Sequence, residues 1–385
     1  MSGPLRVLHV HAGNLYGGIE TILVTLVRYA ALEPRLSHAF ALCFDDRLAE
    51  ELRGAGAPVH ALGAVRASRP WTVWRARARL RATLAAGTYD VVIFHSAWSH
   101  ALLAATIPRT GPTLIHWLHG SVADVTWQQR WAARTPPRLV LCVSAATRAT
   151  LARLFPHAPA TVFYSPVPPP THLLKDDERR ALRAALGTAP SDVVVACAAR
   201  FDPGKGLTVL LHALSRLERA VPWTCWLAGG GATPSEQAMD ASLRTTAAQL
   251  GIAESVRFLG HRTDVPQLFA AADVCCLPST EPEGFPVVLI EALYAGCPIV
   301  ASACGGTSEI VTDDCGLMVS PGDVAGLAAA LGRLASDAPL RRRLASAGPA
   351  RARQLCDPTR QLAALARLLE SAASAVESAP HRSLV

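Results

Sequence analysis

The chain has 385 residues, of which half are hydrophobic and 17% charged, and this balance excludes a disordered polymer and favours a soluble α/β protein of two domains. No apolar run reaches the roughly 18 uncharged residues of a membrane span. The net charge of +7 is uneven: residues 1–170 hold 17 Arg against 8 acids, or +9, and residues 171–385 hold 20 Arg and Lys against 22 acids, or −2, so the first half suits an anionic acceptor or membrane surface.

Residues 5–10 (Leu-Arg-Val-Leu-His-Val) read as a first buried strand. The loop 13–18 and a helix over about 19–31 follow, and strand, glycine loop and helix together form an anion cradle. The dinucleotide pattern G-x-G-x-x-G is missing here, which counts against an NAD-dependent oxidoreductase. Residues 65–86 carry Arg66, Arg69, Arg75, Arg77, Arg79 and Arg81 with Trp71 and Trp74 and no acid. A helix of this kind can lie on an anionic bilayer, and the alternative is a solvated Arg face over a packed Trp pair. Nucleic-acid binding lacks a legible groove-reading module. Residues 91–94 and 113–118 read as parallel strands ending at His95-Ser96 and His119-Gly120, the strand ends where ligands collect in open sheets. His116 and His119, three apart on a strand, point to opposite faces and are not expected to share a metal. Strands at 139–143 and 162–164 precede Pro168, Pro169 and Pro170, which read as a stiff linker between domains.

The second half opens with a helix over 176–186 and a strand over 193–198. Arg200-Phe201-Asp202-Pro203-Gly204-Lys205-Gly206 then leads into a helix over 207–219. Lys205 is one of two lysines in a chain with 35 arginines. A Walker A reading fails, because Gly206 follows the lysine where Ser or Thr would hold magnesium. Strands at 223–228 and 255–259 run into glycine turns. The apolar strand 274–277 precedes Glu283-Gly284-Phe285-Pro286-Val287-Val288-Leu289-Ile290-Glu291, with Pro286 expected in the first turn of a helix to Ala295 and Gly296 and Pro298 as its stop. The free N–H groups near Val287 and Val288 favour an anion. Glu283 lies just before that point and Glu291 about a turn and a half inside the helix. This layout suits a ligand with central phosphates and hydroxyls at both ends, such as a nucleotide-sugar. Up to about 12 Å along the helix axis separates the two carboxylates, too far for the paired acids of a glycoside hydrolase. Ten cysteines without C-x-x-C spacing read as buried thiols of a reduced, cytoplasmic chain, and residues 1–10 lack the segments of a signal peptide.

The E-x7-E spacing from Glu283 to Glu291, with Pro278-Ser279 before it and Gly305-Gly306-Thr307-Ser308-Glu309 after it, resembles the retaining glycosyltransferases of family 4 (glycosyl transferases group 1). The resemblance implies the GT-B fold, two Rossmann-like parallel-sheet domains facing across a cleft. Residues 1–168 would form the acceptor-side domain, with a terminal helix at about 358–376 crossing back to it, and residues 169–357 the nucleotide-sugar domain. It implies Glu283 beside the donor sugar, Glu291 on the ribose hydroxyls, and Arg200 and Lys205 on the donor diphosphate. Gly284, Phe285, Val287 and Val288 complete the implied donor site in that domain. It further places the Gly17–Gly18 loop against the diphosphate and His119 close to the sugar. Ala199 stands where the family commonly has glycine, and Ser165-Pro166-Val167-Pro168 departs from the family's Asn-Gly-hydrophobic-Asp segment.

The implied reaction moves a sugar from a nucleoside-diphosphate sugar, a UDP-sugar as first choice, to a hydroxyl acceptor such as a glycan, a lipid-linked glycan or a small molecule. Neither HExxH nor D-x-D occurs, so no metal or other cofactor is expected. A non-catalytic GT-B scaffold or nucleotide-binding protein is the alternative; such a protein would keep the fold and lose Arg200, Lys205 or Glu283. The expected location is the cytoplasm, with peripheral contact at the inner face of the membrane through the Arg66–Arg81 stretch.

Overall fold

The structure, a computed structural model, describes residues 3–14, 16–123, 125–217, 221–231 and 233–377. They fall into two compact units, residues 1–166 with 357–385, and residues 167–356. The first unit holds strands β1 (Leu5–His11), β2 (Leu36–Leu42), β3 (Val59–Ala61), β4 (Val91–Phe94), β5 (Thr113–Leu118), β6 (Leu139–Cys142) and β7 (Ala160–Val162). All pair in parallel, in the order β3-β2-β1-β4-β5-β6-β7. The second unit holds β8 (Val193–Ala198), β9 (Trp223–Ala228), β10 (Val256–Gly260), β11 (Val274–Leu277), β12 (Ile299–Ser302) and β13 (Gly316–Val319), also parallel, in the order β10-β9-β8-β11-β12-β13. A parallel sheet is covered on both faces, so its central strands are continuous apolar runs. All four residues of Val91–Phe94 and of Val274–Leu277 are accordingly buried.

In both units the strand order reverses beside the first strand, between β1 and β4 and between β8 and β11. Ligand crevices of doubly wound sheets lie there, at the carboxyl ends of the strands. The architecture is the two-domain α/β arrangement of the GT-B fold.

Several boundaries differ from expectation. The first helix runs from Gly18 to Arg28 and passes into a tight turn at Ala30–Leu32, after which Pro34 biases Glu33 away from helical geometry. The helix after Lys205 spans only Leu207–Leu214, and residues 218–219 of its expected end lie outside the described residues. In the helix Pro70–Ala86, Thr72, Ala76 and Leu80 form the buried stripe. That register leaves Trp71 and Trp74 60% and 70% exposed, so the packed Trp pair weighed from the sequence does not form. Residues 163–175 carry no helix or strand. The last helix, Pro358–Glu377, buries Leu362, Leu365 and Leu369 in the first unit, where Arg35 pairs with Glu370 at 3.2 Å. All ten cysteines are free and buried, and burial pushes the Cys142 thiol up to about 11 and that of Cys197 to about 12.

Candidate functional site

The candidate site of the second unit grows from three loops at the carboxyl ends of β8, β11 and β12. After β8 the chain makes a tight turn at Pro203–Lys205 that closes at Gly206, with φ +66°. A Cβ on Gly206 would stand 2.0 Å from the carbonyl oxygen of Pro278, so only glycine lets the β8 loop lie against the β11 loop. The two are sewn together where Thr280 N and Glu281 N donate to Gly204 O at 2.9 and 3.3 Å. From the other side, Gly306 N donates to Glu283 O at 2.8 Å. Gly305 (φ +62°) approaches so closely that a Cβ would meet the same oxygen at 2.2 Å.

Glu283 is the meeting point. Its carboxylate accepts from Lys205 Nζ at 2.7 and 2.9 Å and from the Ser279 hydroxyl. Both charged side chains are mostly buried, at 22% and 11% exposure. A half-buried cation held by one carboxylate is a ready anion receptor, because an incoming phosphate can replace that carboxylate at little desolvation cost. Arg200 belongs to the same loop, but it is 55% exposed and pairs with Asp202 at 3.2 Å. It lies at the rim.

The helix after the β11 loop spans Val287–Tyr294, with Pro286 as its N-cap rather than its first residue. The ring keeps φ at −72°, yet ψ is 99°, so helical geometry begins one residue later. Gly284 and the buried Phe285 form the turn into it. The N–H groups of Val287 and Val288 fall in the first turn, which lacks intrahelical acceptors and carries the positive end of the helix dipole. Glu291, farther along, has a partly exposed carboxylate with no hydrogen-bond partner among the described residues, and burial pushes it up to about 7.

In the first unit, the loop after β1 is braced by a residue pair that the sequence reading passed over. Glu20 accepts from Gly17 N at 2.8 Å and from His11 Nε2 at 2.7 Å, and both His11 and Glu20 are only 5% exposed. The available signal was a glutamate at the third helical position behind a capping residue. Gly17 and Gly18 thus form the start of a rigidly held helix. His119 stands just past the end of β5, half-buried, stacked on Trp117 at 5.3 Å, with Nε2 3.0 Å from His95 Nδ1. Burial first, and the nearby His11 second, lower it to about 3, so it is a neutral imidazole. His116 pairs instead with His100 at 3.1 Å, so the two histidines of β5 and its end enter separate groups. Among the described residues no three His, Cys, Asp or Glu side chains are grouped to hold a metal ion.

Two families match the chain: Glycosyltransferase Family 4 over residues 16–169 and Glycosyl transferases group 1 over residues 178–351. A D-inositol 3-phosphate glycosyltransferase of Mycobacterium marinum is 37% identical over 155 residues, which are 40% of this chain and 32% of the relative. A GDP-mannose-dependent alpha-(1-6)-phosphatidylinositol monomannoside mannosyltransferase of Mycolicibacterium smegmatis is 32% identical over 248 residues, 59% of this chain and 62% of the relative. Both matches span less than two thirds of the relatives' length. Among solved structures, HepE of Anabaena in complex with UDP-glucose superposes with a TM-score of 0.84 at 25% identity, covering 95% of this chain and all of that one.

Proposed function

The chain belongs to the family 4, group 1 glycosyltransferases, and from that premise we propose that it transfers a sugar from a nucleoside-diphosphate sugar to a hydroxyl acceptor, with retention at the anomeric carbon and without a metal. The observation that carries the reading is the convergence of three strand-end loops on the Lys205–Glu283 pair beside the start of the Val287–Tyr294 helix. Departure of the nucleotide leaves growing negative charge on the diphosphate. Lys205, the first-turn N–H groups of Val287 and Val288, and Arg200 from the rim are the groups that stabilise it. Glu283, released from Lys205 when phosphate arrives, faces the sugar. Glu291 receives the ribose hydroxyls, a role its unpartnered carboxylate suits. Gly18 contributes its backbone N–H to the diphosphate, Gly17 shapes that loop with its own N–H held by Glu20, and His119 contacts the sugar. The departing phosphate oxygen then takes the acceptor's proton on the face the sugar leaves.

UDP in the HepE complex supports a UDP-sugar donor, and the mannosyltransferase relative names GDP-mannose as a second candidate. The exposed Trp71 and Trp74, flanked by Arg69 and Arg75, support peripheral contact with an anionic membrane, where interfacial indoles and basic side chains act together. No helix among the described residues is long and apolar enough to cross a membrane. The test is donor hydrolysis and transfer with UDP-, GDP- and ADP-sugars in EDTA. Turnover that survives EDTA supports the reading and turnover that vanishes refutes metal independence. Binding without turnover on any donor favours a non-catalytic scaffold.

A further inference from the structure

Four histidines of the first unit form one hydrogen-bonded line. His38 Nδ1 lies 2.9 Å from His9 Nε2, His9 Nδ1 lies 2.9 Å from His95 Nε2, and His95 Nδ1 lies 3.0 Å from His119 Nε2. The line follows from the sheet. His38 pairs in register with Val7, and His9 is two residues farther along β1. His95 follows Phe94, the partner of Val10, and so lies two residues beyond the level of His9. Phe94 in turn pairs with His116, which puts His119 two residues beyond the level of His95. Each step therefore moves one strand across and two residues up, and a two-residue step returns to the same face. The rings are stacked or tilted with centroids 5.1, 5.1 and 5.3 Å apart. His38 is 8% exposed, His9 and His95 are 0% and 1% exposed, and His119 reaches the strand ends half-buried.

A neutral imidazole has one N–H and one lone pair, so each N···N contact needs a donor facing an acceptor. In a line linked throughout by Nδ1 to Nε2, that condition lets the rings adopt only one tautomer together. Reversing a single ring would set N–H against N–H at one side and lone pair against lone pair at the other, in a buried setting where neither is hydrated. We propose that His38, His9 and His95 are positioning residues that hold His119 in the Nε2–H tautomer, so that its free Nδ1 presents a lone pair to a sugar hydroxyl. The Nε2–H form is the intrinsically preferred one of a neutral histidine side chain, and here it turns a lone pair of His119, rather than an N–H, toward the strand ends. This inference rests on the reading that His119 contacts the sugar, but the tautomer itself is independent of any donor.

The neighbouring pair supplies an internal control. His100 Nε2 lies 2.8 Å from the carbonyl oxygen of Thr135, which can only accept, so His100 is the Nε2–H form and its Nδ1 accepts from His116. His116 is therefore Nδ1–H, and its buried Nε2 is left without a partner.

The experiment is long-range proton–nitrogen correlation NMR of the full chain with labelled histidine at pH 7.5, without donor. In the wild type His38, His9, His95 and His119 are expected as Nε2–H, His100 as Nε2–H and His116 as Nδ1–H. His38→Phe keeps a ring beside His9 and removes its acceptor. A buried N–H without an acceptor is less tolerable than a buried lone pair, so the remaining three rings are expected to reverse. The Nδ1–H to Nε2–H ratio of His119 should rise at least tenfold, with His100 and His116 unmoved. His9→Phe cuts the line closer in and should act in the same direction, a second route if His38→Phe does not fold. Any of the four in the opposite tautomer, or an unmoved His119 ratio in a folded variant, overturns the proposal. Sugar transfer that survives His119→Ala while the tautomer behaves as stated would remove the sugar contact and leave the relay standing.

Discussion

The two units solve the same topological problem with opposite chemistry. In each, loops gather where the strand order reverses, yet the second unit organises its loops around an ion pair, Lys205 with Glu283, and the first around uncharged histidines. In the proposed reading a diphosphate needs a fixed positive charge, and Lys205, held by Glu283 in a site mostly closed to water, would supply it. In that reading a sugar hydroxyl needs directed but neutral hydrogen bonding, and burial holds His95 and His119 well below the ordinary imidazole value.

The contrast breaks first on acidification. His9, His38, His95, His100, His116 and His119 are all lowered from 6.5 by burial, His38 and His100 to about 4 and His119 to about 3. The unfolded chain takes up protons below 6.5 that the folded chain refuses, so their contribution is present above 6.5 and lost as pH falls. Each site is worth about 1.4 kcal/mol per pH unit, so six approach roughly 8 kcal/mol per unit, comparable to a whole domain's stability. Hydrogen exchange by mass spectrometry at pH 7.5 and 5.5 should show protection lost first in residues 1–166 and kept longer in 167–356. Equal loss in both would contradict the contrast.

The next largest effect is expected at Glu283. Glu283→Gln should lower transfer by about two orders of magnitude while nucleoside-diphosphate affinity holds or improves a few-fold, because Lys205 is released from its carboxylate. A parallel fall in affinity would show that Glu283 shapes the site rather than acting on the sugar.

Glu291 sharpens the comparison from the opposite side of the titration. Its carboxyl is raised from 4.5 to about 7, so the folded chain holds a proton there that the unfolded chain has released. That stability is present below 4.5 and lost as pH rises through 7. Glu291→Gln should therefore stabilise the second unit at pH 8 by about 2 kcal/mol, discounted for partial exposure, and at pH 5 by about 0.5 kcal/mol. It should also weaken nucleotide binding most above pH 7, where the wild-type carboxylate is ionised and accepts the ribose hydroxyls. Thermal melts and nucleotide titrations at the two pH values check both signs. The smallest effect is expected at Arg200, whose exposed pair with Asp202 is screened by solvent; Arg200→Ala should cost several-fold in donor affinity, less than removal of Lys205.

What could be read from the sequence depended on how local the determinant is. The Glu283–Glu291 spacing, the proline before the helix and the rarity of Lys205 all lie within short windows, and these residues converge in the folded chain. Ser279 and Gly305 were quoted as motif, but their closeness to Glu283 depends on β8, β11 and β12 being neighbours. The histidine line was invisible for the same reason. His9, His38, His95 and His119 have no common spacing, and they align only when the order β2-β1-β4-β5 sets the register. Glu20 was legible in principle, as an acid three residues behind a helix cap, but its bond to His11 crosses from strand to helix. The boundary shift at Val287 came from a proline that delays helical geometry by one residue, which periodicity cannot resolve.

The most direct test is titration of the full-length protein with UDP and GDP in EDTA, wild type against Lys205→Ala. A charge-assisted bond to phosphate is worth about 1.5–3 kcal/mol, so the variant should bind the preferred nucleotide about ten- to a hundredfold more weakly, with its fold intact by circular dichroism. Equal affinity in the two proteins, or no nucleotide binding by the wild type, would contradict a diphosphate site built on Lys205 and Glu283.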